Sequence, residues 1–359
     1  MPLRALPLLF SALLSAAVER QDTDRGRRHL EPGRTYTAWF YAAETGRLWP
    51  LFSQELQAIV GSESGLRTLR DQLVTQAGQE TAVLREWEFR LPPLFEYVRR
   101  ASFSLSARNW EIHWVYDGEG RIGGFNVEPE RTPAASRFLD YETKTPLSLP
   151  FSGDWLIFWG GRSVVENYHA EYSDQRFAYD VLALGEEGFF LGEGANNLDY
   201  PCFGQPILAP GDGTVVEAVD GVADNVPGIT GSGHAGGNRI VLNHGNGEFS
   251  FLAHFQQGSV LVRAGQTVSA GEEIGRCGNS GNSTLPHLHY HLQNSPTWFA
   301  GEGLPILFSD YVADGELVES GEPIRGEIVT GRETSVSPGI RPPILPSPRV
   351  FGPRKTTRP

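Results

Sequence analysis

The stretch Pro286-His287-Leu288-His289-Tyr290-His291-Leu292 constrains the chain more than any other. From His287 onward, imidazoles alternate strictly with apolar residues. In an extended strand, residues i, i+2 and i+4 lie on one side and the residues between them on the other. His287, His289 and His291 would then share a face, with Leu288, Tyr290 and Leu292 behind them. Burying an imidazole costs desolvation, so three in a row are an expensive choice for a core. Imidazole nitrogens on one face can share a metal ion. The triplet alone fits equally an exposed strand that happens to be rich in histidine.

The surrounding sequence narrows this. Gly278-Asn279-Ser280-Gly281-Asn282-Ser283-Thr284 reads as a tight turn that aims the strand after it. Further upstream, Gly237 to Leu242 is a strand that runs into the turn Asn243-His244-Gly245-Asn246-Gly247. Phe249-Ser250-Phe251-Leu252-Ala253-His254 is its return. Before these come Ala209-Pro210-Gly211-Asp212-Gly213-Thr214-Val215 and Ala178-Tyr179-Asp180.

This ordered set resembles the lysostaphin-type metallopeptidase family. The resemblance runs from about His169 to Leu292, roughly a third of the chain. It implies a twisted antiparallel β-sheet core around a groove, with one zinc ion at its floor. Asp180 matches the family's carboxylate ligand, and His289, second of the His-x-His pair, matches a histidine ligand. His287 matches the histidine that acts on the metal's water or on the oxyanion, and His254 the second active-site histidine that is not a ligand. The chemistry is consistent: zinc lowers the pKa of its water toward ~7, and an imidazole of pKa near ~6.5 can take the proton. The sequence departs from the family at its first ligand, a histidine four residues before the aspartate, where this chain has Arg176. A guanidinium has no lone pair to donate. His169, eleven residues before Asp180, is the nearest upstream substitute, so the expected ligand set is His169, Asp180 and His289.

The resemblance implies a zinc-dependent endopeptidase that cuts stem peptides or cross-links of bacterial peptidoglycan, through a metal-activated water and a histidine general base. The alternative is an inactive relative that binds wall peptides or activates a partner hydrolase. The remaining histidines read blandly. His113, between Ile112 and Trp114, is expected at a polar surface position. His234 sits on a glycine-rich loop, His244 belongs to a turn, and His291 is a candidate for hydrogen bonding behind the ligands.

The expected fold class is an α+β N-terminal domain followed by a mainly β catalytic domain. Residues 1–17 resemble a secretory signal peptide, with one positive charge, a short apolar run and small residues at its end. Residues 18–34 read as a linker. From 35 to 129, helical spacing gives way after Gly78 to period-two strands, Ala82 to Phe89, Leu94 to Leu105, Trp110 to Tyr116 and Ile122 to Val127. That order resembles cystatin-like, nuclear-transport-factor-like modules. A Pro-rich linker (130–150), the peptidase domain (151–313) and a polar, then Pro-rich disordered tail (314–359) follow. No segment beyond the first residues has the ~18 consecutive apolar residues of a membrane span. A net charge of −13 argues against nucleic acid as a partner, since the basic residues cluster only in the tail, at Arg349, Arg354, Lys355 and Arg358. The expected location is secreted or in the cell envelope. Cys202 and Cys277 are either a disulfide or two buried thiols.

Overall fold

The computed structural model describes residues 30–231 and 233–331. The expected signal peptide, most of the first linker, His29 and the Pro-rich tail lie outside the described residues. No described helix is long and apolar enough to cross a membrane.

The N-terminal domain opens with four helices: α1 (Leu30–Tyr41), α2 (Thr45–Leu48), α3 (Gln54–Val60) and α4 (Glu63–Ala77). Helix α4 shows how local sequence sets such an element. Ser62 caps it by accepting from Gly65 N at 3.1 Å. Leu66, Leu73 and Ala77 form its buried face, and Gly78, at φ 86°, ends it. Helix α1 starts inside the expected linker and runs through Gly33. A Cβ at Gly33 would fall 2.1 Å from Tyr97 Cγ, so the glycine lets the helix lie directly on the sheet.

That sheet is an antiparallel meander of β1 (Glu80–Leu91), β2 (Leu94–Phe103), β3 (Ser106–Asp117) and β4 (Ile122–Pro129). Its alternation serves two cores. Tyr97 and Trp114 pack under the helices, and Trp114 Nε1 donates to Thr37 Oγ1 at 2.9 Å. Their neighbours Val98 and Val115 face the other way, onto the peptidase domain.

The second domain begins with β5 (Gly153–Trp159) and β6 (Tyr179–Ala183). It continues through β7 (Pro206–Leu208), β8 (Gly213–Val219), β9 (Asn238–Asn243), β10 (Phe249–Phe255), β11 (Thr267–Val268), β12 (Glu273–Arg276) and β13 (Leu288–Gln293). The last strands are β14 (Gly303–Leu304), β15 (Phe308–Ala313), β16 (Glu316–Gly321) and β17 (Ile328–Gly331). The described strands form an antiparallel sheet of order β11-β8-β9-β10-β13-β6-β5-β17-β15-β16, with β14 beside β13; β7 and β12 pair separately. Strand β5 repeats the two-core pattern. Trp155 and Ile157 join the peptidase core, and Leu156 and Phe158 join the core shared with the N-terminal sheet. Cys202 and Cys277 are joined by a disulfide.

Three expectations need correcting. The domain does not end at 313: β16 and β17 continue the sheet, and Val329 is fully buried opposite Trp155. Strand β16 lies at the sheet edge, where Leu317 is exposed and Val318 packs against the core, so no apolar alternation marks it. The 130–150 segment is extended, as its prolines require, but it is fastened to the peptidase domain rather than free. Leu147 and Leu149 are buried, and fully buried Glu248 accepts from Tyr141 Oη, Lys144 N and Thr145 N at 2.7–2.9 Å. His113 is not at the surface; it is 5% exposed.

Candidate metal centre

Strand β13 carries the alternation into three dimensions. Leu288, Tyr290 and Leu292 enter the peptidase core, which leaves His289 and His291 on the opposite face. Strand β6 lies alongside, with Tyr179 and Val181 in the same core and Asp180 turned outward. Antiparallel register sets His289 directly opposite Asp180 on one side and Ala253 of β10 on the other. The His289 ring meets the Asp180 carboxylate, with Nδ1 2.8 Å from Oδ1.

His169 comes from outside the sheet. It sits in a short helical turn, Tyr168–Glu171, capped by Asn167. Asn167 Oδ1 accepts from both the backbone N (3.1 Å) and ring Nδ1 (2.9 Å) of His169. Asn167 Nδ2 donates to Ala178 O at 2.9 Å, which ties this turn to the chain two residues before Asp180. The Tyr168 ring covers the imidazole at 3.9 Å between centroids. With Nδ1–H engaged, Nε2 of His169 carries the lone pair, and it lies 3.6 Å from Asp180 Oδ2. One donor atom each from His169, Asp180 and His289 lies within 4.8 Å of the others. All three residues are buried. Arg176 is not in this group. Its Nη1 donates to Ala170 O at 3.3 Å, against the turn that carries His169.

Two further imidazoles flank the cluster. His254 closes β10 at a register break between Ala253 and Phe255, with φ of 65°. That left-handed backbone is rare for a residue with a side chain and turns the imidazole out of the ladder. Its Nδ1–H donates to Ser280 O at 2.7 Å, so the neutral ring keeps its lone pair on Nε2. Ser280 belongs to the glycine-rich turn, where Gly281 has no room for a Cβ: one would fall 2.4 Å from Gly237 N. His287 Nδ1–H donates to Leu285 O at 2.8 Å, which leaves Nε2 3.5 Å from Asp180 Oδ1. The His254 and His287 rings are 4.7 Å apart. Behind the cluster, His291 Nδ1 lies 2.9 Å from His289 Nε2, and its ring stacks on Phe251 at 4.6 Å.

The electrostatics follow from burial around one carboxylate. Burial pushes His169 down to about 3 in spite of Asp180, so the ring is neutral. Burial likewise holds His254 and His291 well below the usual imidazole range. For His287 burial works the same way, but neighbouring Asp180 outweighs it and raises the pKa. Asp180 itself, although desolvated, is held well below the carboxylate range by the imidazoles around it. The centre therefore offers the neutral nitrogen of His169 and the anionic oxygen of Asp180 beside the His289 ring, a set suited to zinc.

Sequence reasoning missed Asn167 and the Ser280 carbonyl, which orient His169 and His254. The signal for the first was present, as an asparagine directly before a turn is a capping residue. His244, read as part of a turn, bridges Asp212 O and Ser250 Oγ, each at 2.7 Å. His234 lies against Trp298 and Phe299, with centroids 5.3 and 5.9 Å away.

The catalytic domain of lysostaphin from Staphylococcus simulans superposes with a TM-score of 0.25 at 24% identity, over 42% of this chain and 86% of that one. The chain is 38% identical over 98 residues to the peptidoglycan DD-endopeptidase ShyA of Vibrio cholerae, 27% of this chain and 20% of that protein. It is 41% identical over 84 residues to the DD-carboxypeptidase/endopeptidase Mpg of Neisseria meningitidis, 23% of this chain and 17% of that protein. The aligned part thus spans a fifth or less of these curated relatives. Residues 194–300 match the sequence profile of peptidase family M23; the match contains His254, His287 and His289 and begins after His169 and Asp180. With its histidine strand, its flanking hairpin and its turn all inside that match, the chain carries a domain of peptidase family M23, the lysostaphin type.

Proposed function

We propose that this chain is a zinc-dependent endopeptidase acting on stem peptides or cross-links of peptidoglycan, held in the cell envelope or secreted. The observation that carries the reading is the convergence of His169, Asp180 and His289, with Asn167 fixing the tautomer of the one ligand that departs from the family pattern. These three residues would hold the zinc ion. When bound, zinc supplies Lewis acidity, which polarises the scissile carbonyl and acidifies water.

The protein's own groups divide the proton work. His254 is neutral, and Ser280 O fixes its proton on Nδ1, so Nε2 accepts the proton of the attacking water. His287 is poised the other way. Asp180 favours its charged form, and Leu285 O holds Nδ1–H, so Nε2–H donates toward the oxyanion and then to the leaving nitrogen. Water adds to the carbonyl carbon, the C–N bond breaks, and the proton lost to His254 is balanced by the one given by His287. The names of the aligned relatives support peptidoglycan as the substrate. The disulfide supports an oxidising compartment.

One observation favours a second reading, binding wall peptides or activating a partner hydrolase without catalysis: Arg176 stands where the family's first ligand is expected. Zinc content and peptidoglycan digestion separate the two. The endopeptidase reading expects His169→Ala and His289→Ala each to remove one zinc equivalent and all digestion. An unaltered chain that takes no zinc at this centre and digests nothing would establish the second reading.

A further inference from the structure

A second cluster of metal-ligating side chains lies on the other domain, where no family motif reaches. Strands β3 and β4 place Glu111 directly opposite Glu128, and His113 follows Glu111 on the same face. The three are 2%, 8% and 5% exposed, and one donor atom from each lies within 4.8 Å of the others. Buried like charges set directly across a ladder repel. Something must compensate for that arrangement.

The imidazole shows what. His113 Nδ1 is 2.9 Å from Glu96 Oε1; a carboxylate accepts, so Nδ1–H donates. The other nitrogen, Nε2, is buried and has no hydrogen-bond partner among the described residues. It lies 3.8 Å from Glu111 Oε2. A proton on Nε2 would find no acceptor at that distance. A zinc ion ~2.0–2.1 Å from nitrogen and ~2.0–2.2 Å from oxygen spans such a gap. A carboxylate behind a histidine, holding Nδ1–H so that Nε2 faces outward, is the arrangement that metal-ligating histidines use.

Charge gives a second, independent argument. The ion-paired network around His113 holds five carboxylates, Glu96, Glu111, Glu128, Glu130 and Glu171, against three guanidiniums, Arg100, Arg131 and Arg325. Two negative charges remain, which one imidazolium halves and one divalent cation cancels.

We propose that Glu111, His113 and Glu128 form a divalent-cation site, distinct from the peptidase centre and structural in character. Glu96 anchors the histidine, and its other oxygen accepts from Arg325 Nη2 at 2.6 Å. Arg325 belongs to the segment between β16 and β17, so the surroundings of the ion reach from one domain into the other. Glu130, whose side chain is 28% exposed, lies on the solvent side of the network. Zinc binds a mixed nitrogen–oxygen set more tightly than manganese or iron(II) does, so it is a sufficient probe whichever of these ions serves.

The test is zinc stoichiometry of the full chain by equilibrium dialysis and elemental analysis. The expected result is two equivalents for the unaltered protein, with His113→Gln and Glu128→Gln each losing one and keeping peptidoglycan digestion. His289→Ala loses the other equivalent. Should His113→Gln fail to fold, Glu128→Gln, at the more exposed rim, carries the test. A single equivalent that His289→Ala removes would overturn the proposal, as would Glu128→Gln or folded His113→Gln that retains both. A single equivalent lost in Glu128→Gln but kept in His289→Ala would uphold this site and sink the zinc reading of the peptidase centre.

Discussion

The peptidase centre and the N-terminal cluster use the same side-chain types in opposite proportion. Around Asp180 there is one carboxylate among the imidazoles of His169, His287 and His289, and no arginine among its hydrogen-bond or ion-pair partners. Around His113 there is one imidazole among carboxylates, walled by Arg100, Arg131 and Arg325. Burial opposes the charged imidazole at both clusters, but with opposite outcomes. It keeps His169 and His254 neutral and leaves lone pairs for a cation and a proton. At the N-terminal cluster the surplus of carboxylates overrides burial and favours positive charge. A centre with spare imidazoles beside its ligands can move protons. A centre whose single imidazole sits among carboxylates and guanidiniums has none to spare and holds charge in place. The difference teaches that donor count alone does not distinguish reactive from structural sites; the neighbours left over do.

The largest test of this contrast is Asp180→Asn. Removing the carboxylate of the peptidase centre should take peptidoglycan digestion to background and cost one zinc equivalent, while the N-terminal equivalent stays. A variant that keeps half of the original turnover would show that the carboxylate is not what gathers the cluster. The next effect is on stability. Arg325→Met leaves Glu96 charged, fully buried and short of its partner, which should cost about 3–5 kcal/mol in denaturant unfolding. Adding Glu96→Gln should restore part of that loss. A cost below ~1 kcal/mol would mean that the arginine wall is dispensable.

Smaller effects sharpen the comparison further. Asn167→Ala should weaken zinc at the peptidase centre by about 10–100-fold and leave the N-terminal site unchanged, read as two separate binding isotherms. Equal weakening at both sites would point to a general loosening of the fold. The smallest effect concerns Glu248, a buried carboxylate held by backbone and hydroxyl donors, with no arginine partner among the described residues. Despite its burial, those donors lower its pKa from 4.5. A carboxylate with a depressed folded pKa stabilises above the unfolded pKa and loses that contribution as pH falls through the folded value. Glu248→Gln should therefore cost about 1 kcal/mol at neutral pH and nothing in strong acid. An equal cost at both ends would assign the effect to shape rather than charge.

Much of the peptidase centre could be read in advance because period two is an intrinsic property of strands. The spacing of His287, His289 and His291 and the hairpin around Asn243 to Gly247 carry their geometry in the sequence itself. His169 follows only from the family resemblance, as the nearest upstream histidine once the guanidinium at 176 is ruled out as a ligand. The helices-then-meander order of the N-terminal domain was equally legible, from the period change at Gly78. What escaped depends on partners far away in the chain. His113 reads as a surface residue because its partners Glu96 and Glu128 lie on other strands, and Arg325 meets Glu96 across 229 positions. Strand β16 is an edge whose two apolar residues, Leu317 and Val318, are adjacent rather than alternating, so composition alone marks it as tail. The fastening of Glu248 to the 141–145 segment is likewise a non-local event, invisible in either stretch by itself.

Asp180 and His289 stand face to face across adjacent strands yet are 109 positions apart in sequence. A contact between residues so distant must wait until the chain between them exists and has been brought together. During synthesis from the N-terminus, His169, Asp180 and His254 all emerge before β13 is made. An unfinished or truncated chain that stops before β13 thus carries His169, Asp180 and His254 but no assembled cluster. The centre closes when β13 slots between β10 and β6, with β14 to β17 still to be laid down.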